Sequence, residues 1–296
     1  MDFDWEDIRY FLETERAGRM NVAARRLKVS HTTVARHIER LERRLGTALF
    51  ERDVDGMRVT DAGAAVLAHG RLMEDQALAL ADRIEGNAGT LSGVVRIGAP
   101  DGLGNSVLAR VLPKLLNEEP DLVVELVPVP QAHKLWKREV DLSISLERPT
   151  TGRTALRKLT DYDLRLYASP DLPGLDRASL ERLPEFPFVG YVDDLLYTGE
   201  LDFNRHIAPG LRVVYRGATV VSQLEAVCHG VGMGILPCYL ARDRGLVPVV
   251  PDDIRLSRSY WLLMPEEYRE MNRIRRVSRF IAREIRALAP IFSFSP

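Results

Sequence analysis

The chain lacks the features that mark several common protein classes. Only two cysteines, Cys228 and Cys238, occur in 296 residues, too few for a disulfide framework and in keeping with a reducing compartment. They read either as two small core residues or as a peroxide-sensing pair, and apart from His229 neither has a basic sequence neighbour to lower its thiol pKa. No apolar run reaches the length of a membrane span. The opening Met1-Asp2-Phe3-Asp4-Trp5-Glu6 is acidic, without the basic start and apolar stretch of a secretory signal. Phosphate-loop, HExxH and GxSxG motifs are absent, and the six histidines are scattered without metal-ligand spacing. These absences lead us to expect a cytoplasmic protein that is not an enzyme, with no cofactor, metal or membrane partner.

What is present is a local concentration of positive charge. The formal net charge is -1, yet between Arg16 and Arg58 eleven Arg or Lys stand against five acids, the kind of basic footprint that phosphate binding requires. Within it, Asn21-Val22-Ala23-Ala24-Arg25-Arg26-Leu27 reads as a short helix, Lys28-Val29 as a turn and Ser30 as the cap of a second helix. There Val34, Ile38, Leu41 and Leu45 recur at helical spacing and bury one face. His31, Thr32, Ala35, Arg36 and Glu39 turn the other way, toward a major groove. Leu49-Phe50-Glu51-Arg52, a turn at Asp55-Gly56 and Met57-Arg58-Val59-Thr60 complete a small wing. Arg25, Arg52 and Arg58 are the candidates for phosphate contacts, and the run Glu39-Arg40-Leu41-Glu42-Arg43-Arg44 reads as a solvated face.

The order of these elements resembles the LysR-type transcriptional regulators. The resemblance rests on Ile8-Arg9-Tyr10-Phe11-Leu12, Ala23-Ala24-Arg25-Arg26-Leu27, Val34-Ala35-Arg36-His37-Ile38-Glu39-Arg40-Leu41-Glu42, Leu45-Gly46, Leu49-Phe50-Glu51-Arg52 and Thr60-Asp61-Ala62-Gly63. Weaker matches continue at Val95-Arg96-Ile97-Gly98 and at Gly230-Val231-Gly232-Met233-Gly234-Ile235-Leu236-Pro237. It implies an α+β multidomain chain: a winged helix-turn-helix over residues 1–63, a linker helix and hinge over 64–92, and an α/β effector-binding domain over 93–296. That last domain would have two subdomains resembling periplasmic binding proteins, one of about 93–166 plus 265–290 and the other of about 167–264. Base reading would fall to Ser30, His31, Thr32, Ala35 and Arg36. Arg36 can donate two hydrogen bonds to a guanine edge. The chain departs from the usual family pattern at His31, where Gln is common, and at Ala35, where Ser is common. His31 and Thr32 have an alternative role in capping beside Ser30.

Thr60 is placed to cap a helix running from Asp61 to about Asn87. Val66, Leu72, Met73, Ala77, Leu80 and Ile84 form one apolar stripe along it, and in the family such a helix packs against its copy in a second subunit. The implied partners are promoter double-stranded DNA, a small-molecule effector and a second copy of the chain as a dimer or dimer of dimers, with RNA polymerase a further candidate. Gly86 to Gly93 reads as the flexible exit.

From Gly93 the hydrophobic period changes. Val94–Ile97, Val123–Val129, Asp141–Leu146, Leu164–Ala168, Phe188–Val192, Leu211–Tyr215, Met233–Leu236 and Tyr260–Met264 read as strands. Ser106–Asn117, Ala132–Arg138 and Val220–His229 read as helices between them, which indicates an α/β fold. Crossovers are expected near Leu166–Ser169 and Leu263–Pro265, before a final helix from about Glu266 to Leu288. The segment Ala99–Ser106 reads as a loop opening onto a helix. Pro100, Asp101, Gly102 and Leu103 in it, with Ser145, Tyr191, Asp193, Thr219 and Val220, are the effector-binding candidates. Asp101 stands where many relatives carry Ser or Thr, and it either caps its helix or disfavours a carboxylate ligand, leaving neutral, polyhydroxylated or cationic effectors. The glycines at 230, 232 and 234 follow a helix and enter a strand, the reverse of a dinucleotide-binding turn, so they read as a tight structural turn. A solute-binding protein and an enzyme with a helical cap are the competing classes, disfavoured by the N-terminal reading head and the missing catalytic motifs. A redox-responsive regulator using Cys228 and Cys238 remains the alternative within the family.

Overall fold

The computed structural model describes residues 3–53, 56–84, 91–128, 140–149, 154–196, 201–207 and 210–295. The chain forms two compact units, Met1–Gly93 with Glu270–Arg273, and Val94–Arg269 with Ile274–Pro296. Several expectations lie outside the described residues: Asp55 in the wing turn, the exit at 86–90, Val129, the helix at 132–138, and the side chains of Arg52 and Ile84.

In the first unit each helix is bounded by its own sequence. Helix α1 (Trp5–Ala17) begins at Asp4, whose carboxylate accepts the Glu6 N–H, and ends at Gly18 in the left-handed region. Helix α2 (Met20–Leu27) ends at Lys28, which adopts φ 56, a conformation usually left to glycine. Helix α3 (His31–Leu45) is capped by Ser30, whose Oγ accepts the Thr33 N–H at 3.1 Å, and stops at Gly46. Phe11, Leu12, Val34, Ile38, Leu41 and Leu49 are buried together between the helices. Strands β1 (Phe50–Asp53) and β2 (Gly56–Val59) pair antiparallel from Phe50–Val59 to Asp53–Gly56. Gly56 is therefore the first residue of β2 rather than part of the turn. Helix α4 (Asp61–Ile84) has 24 residues, about 36 Å at 1.5 Å per residue.

The second unit is α/β. Strand β3 (Gly93–Ala99) is followed by helix α5 (Asp101–Leu103), a π-helical turn over Gly104–Leu108 and helix α6 (Ala109–Glu118), which run on without a break. The segment after β3, expected as a loop, is thus helical from Asp101. Strands β4 (Leu122–Pro128), β5 (Leu142–Ser145), β6 (Thr154–Ala168), β7 (Pro187–Tyr191), β8 (Arg212–Gly217), β9 (Gly234–Pro237), β10 (Val247–Pro248) and β11 (Leu256–Pro265) follow. The main sheet has the order β10-β6-β11-β5-β3-β4, with β9 also paired to β6. Strands β7 and β8 form a parallel pair, and a bridge from Phe188 to Met233 ties β7 to the start of β9.

Two long antiparallel strands, β6 and β11, run through this unit, paired from Thr154–Pro265 to Leu164–Leu256 with a register shift between Tyr260 and Trp261. The strand expected at 164–168 is only the last part of β6. Its earlier residues include exposed Arg157, Lys158 and Asp161, so hydrophobicity alone passes over them. The expected crossovers fall at the C-terminal ends of these two strands. Helix α7 (Phe203–Ile207), α8 (Val220–Cys228) and α9 (Cys238–Ala241) flank the smaller pair and β9. The single expected final helix is instead a 3-10 turn at Glu266–Tyr268, helix α10 (Asn272–Ala287) and a short α11 (Ala289–Phe292). Ile274, Val277, Phe280, Ile281 and Ile285 of α10 are buried, an amphipathic face at helical spacing. The glycine-rich segment is a tight turn: Gly230 has φ 71, and a Cβ on Gly232 would stand 2.5 Å from the Pro187 carbonyl oxygen.

Candidate nucleic-acid interface and ligand cleft

The outward face of α3 is held from behind by an acid that sequence spacing did not single out. Asp7 of α1 is fully buried, and its carboxylate accepts from Arg40 Nε at 2.7 and 2.9 Å and contacts Arg40 Nη2. It also lies 2.7 Å from His37 Nδ1, and the His37 ring stacks on Tyr10 at 3.8 Å. Burial alone would push the Asp7 carboxyl up, but the bonds from Arg40 and His37 outweigh it and hold the group below its usual range. Glu42 turns back to accept the N–H groups of Leu49 and Phe50 at 2.7 and 3.2 Å, fixing the wing. The run Glu39–Arg44 is therefore not merely a solvated face: Arg40 and Glu42 are structural. An acid three residues into α1 facing a basic helix was the available sequence signal.

On the opposite face His31, Thr32 and Arg36 are exposed and Ala35 is half-buried. Thr32 shares its hydroxyl with Ser30 at 2.8 Å, so Ser30 and Thr32 are engaged in the helix start. Arg25 is exposed in the last turn of α2. Arg58 pairs across the wing with Glu51 at 2.6 Å, an exposed contact of small energy that a phosphate can replace. Arg52 stands opposite Met57 in the β1–β2 ladder.

Along α4, Val66 packs onto the helix-turn-helix core, so it belongs to the fold of its own chain rather than to an outward stripe. Leu72 is half-buried, whereas Met73 is 38% and Leu80 60% exposed. Glu15–Arg71 at 3.0 Å and Arg16–Glu74 clasp the same helix to α1.

In the second unit a narrow cleft opens between α5 and α8. Pro100, Asp101, Gly102, Tyr191 and Val220 line it, and so do Leu146, Tyr162, Leu164, Phe203, Tyr239 and Tyr260, which the sequence reading did not name. The tyrosines of β6 and β11 stack at 4.2 Å, and Tyr239 bonds Tyr260 hydroxyl to hydroxyl at 2.8 Å. Period-two alternation along two strands was their only sequence signal. Asp101 does more than begin its own helix: its Oδ2 accepts the Val221 N–H at the start of α8, 3.2 Å away. Burial is the largest influence on this carboxyl and pushes it up, against the lowering effect of the N–H groups it accepts. Four expected positions fall elsewhere. Leu103 is wholly buried in the core. The Ser145 Oγ accepts the Glu147 N–H, and Thr219 caps α8 by accepting the Ser222 N–H. Asp193 lines a second depression, 3.7 Å from Arg216.

Two consecutive segments of the chain match known domain families. Residues 5–64 match the bacterial regulatory helix-turn-helix proteins of the lysR family, and residues 88–286 match the LysR substrate binding domain. The Mau operon transcriptional activator of Paracoccus denitrificans is 28% identical over 286 residues, spanning 94% of this chain and 95% of its own. The regulator TfdS of Cupriavidus pinatubonensis is 32% identical over 258 residues, spanning 81% and 84%. Among solved structures, a full-length OxyR variant from Pseudomonas aeruginosa superimposes with a TM-score of 0.72 at 20% identity, covering 99% of this chain and 97% of that one. ArgP from Mycobacterium tuberculosis gives 0.70 at 20% identity, covering 96% and 98%. With both of its modules matched in order, the chain belongs to the LysR family of transcriptional regulators: a DNA-binding regulator with an effector-binding domain, and not an enzyme.

Proposed function

We propose that the chain reads promoter DNA with the N-terminal turns of α3 and that occupancy of the cleft beside Asp101 changes that binding. The observation that carries the reading is the outward presentation of His31 and Arg36, whose side chains have no partner among the described residues, on a helix anchored from behind by Asp7. In this reading Arg36 and His31 meet base edges, Ala35 offers a methyl contact, Ser30 and Thr32 hold the helix start, and Arg25, Arg52 and Arg58 meet phosphates. Residues 1–63 are the DNA-binding domain, 64–92 the linker and 93–296 the effector-binding domain. Pairing of α4 between two copies sets the spacing of two half-sites, as a dimer or a dimer of dimers in the cytoplasm. An effector shifts this assembly only as far as it prefers one arrangement over another.

The test is titration of the full chain, across a salt series, against its own upstream region and an unrelated fragment. Arg36→Ala should weaken binding to the specific site by about 1–3 kcal/mol and leave the unrelated fragment unaffected. Equal losses on both would remove Arg36 from base reading.

A further inference from the structure

The class of effector can be narrowed from the chemistry of the cleft. Asp101 is the one charged side chain among the described residues lining it. The Val221 N–H donates to its carboxylate across 3.2 Å. A helix start offers unpaired N–H groups and partial positive charge, the usual seat for an anion. At α8 that seat is already taken by a carboxylate of the chain itself. The hydroxyls of Tyr239 and Tyr260 sit together close by, that of Tyr239 3.2 Å from where a Cβ on Gly102 would stand.

We propose that the cleft selects a small organic ammonium ion, a protonated amine or alkylammonium, and rejects carboxylates, with Asp101 as the residue that decides; this rests on the reading of the cleft as the effector site. A carboxylate ligand would meet the charge of Asp101 and find the Val221 N–H of α8 already bonded. An ammonium ion meets a carboxylate, hydroxyl oxygens that can accept, and aromatic walls that tolerate positive charge. Burial disfavours the ionised form of Asp101, and a cation bound beside it would favour that form. The ligand is small because the cleft offers only about 20 Å³.

The experiment is thermal unfolding of the full chain at constant ionic strength with three matched series. These are methylammonium and ethylammonium chlorides; sodium acetate and propionate; and ethanol and propanol. At least one ammonium salt should raise Tm, by about 5 °C at a hundredfold excess over its Kd, and Asp101→Asn should abolish the shift. Carboxylates and alcohols should leave Tm unmoved. Stabilisation by a carboxylate or an alcohol in place of the ammonium salts, no shift with any of them, or an ammonium shift that survives Asp101→Asn overturns the proposal. If Asp101→Asn folds poorly, the three series on the unaltered chain still decide. Salt-dependent binding to its own promoter, measured on the same sample, is independent of these outcomes: its loss would count against the regulator reading, and its retention with carboxylates bound would count only against the ammonium proposal.

Discussion

The Asp7 carboxylate of α1 and the His37 ring of α3 meet at 2.7 Å in the interior of the helix-turn-helix, with Arg40 on the same carboxylate. The contact sets how α3 lies on α1, and so how His31 and Arg36 are presented. Asp7→Asn should lower the stability of the N-terminal unit by about 2 kcal/mol, the scale of hydrogen bonds to a charged group. The carboxyl is held below its ordinary value of 3.8, so its contribution is whole above that pH and is lost as pH falls through the lower, folded value. Urea unfolding at neutral pH and near pH 3 should therefore show a gap between parent and variant that closes in acid. A gap independent of pH would mean that Asp7 acts by shape alone.

Gly63 makes a second demand on local geometry. Thr60 caps α4 by accepting the Gly63 N–H at 3.0 Å, and a Cβ on Gly63 would stand 2.2 Å from the Leu49 carbonyl oxygen and 2.7 Å from Val59 Cγ1. Neither the backbone oxygen nor the wing strand can give way easily. Gly63→Ala should cost about 1–3 kcal/mol by overpacking, more than the roughly 1 kcal/mol expected when Thr60→Ala removes the cap. Thermal unfolding of the two variants ranks them, and an unchanged Tm for Gly63→Ala would show that the wing can move aside.

Legibility in the sequence follows from the kind of interaction involved. The reading head was legible because caps and helical period are local: Ser30, Gly46 and Thr60 bound helices as their residue types predict. Asp7 was missed because its partners His37 and Arg40 lie 30 and 33 residues away, and Glu42 because its partners, Leu49 and Phe50 past the end of α3, fall outside the helical repeat. In the second unit the strands were located except the two-residue β10, and β6 and β11 were read short, β6 where its exposed face is polar. The cleft was read at Pro100, Asp101, Gly102, Tyr191 and Val220, whereas Tyr162, Tyr239 and Tyr260 converge only through the pairing of β6 with β11 and β9. Asp101 was singled out from its position after β3, but its partner at the start of α8 is 120 residues away, and no local pattern announces such a contact.

The linker helix gives a prediction that separates folding from assembly. Met73 and Leu80 are exposed on α4, whereas Val66 packs into the core of its own unit. Met73→Glu with Leu80→Glu should leave the N-terminal unit as stable as before, yet yield monomers by light scattering and weaken operator binding. Val66→Glu should instead lower Tm, because it puts a charge against a packed core. A folded, dimeric Met73→Glu/Leu80→Glu protein would place the interface on another surface.

The cysteines lead to a negative prediction that can be tested directly. Cys238 is buried, which pushes its thiol above its ordinary pKa, and its hydrogen bond with Tyr167 only partly offsets this. Reactivity toward peroxide follows thiolate character and access, and Cys238 offers little of either at neutral pH. Hydrogen peroxide should therefore leave promoter affinity unchanged, and mass spectrometry of the treated native protein should show no intramolecular disulfide. A peroxide-dependent change in DNA binding that disappears in Cys238→Ser would restore the redox reading.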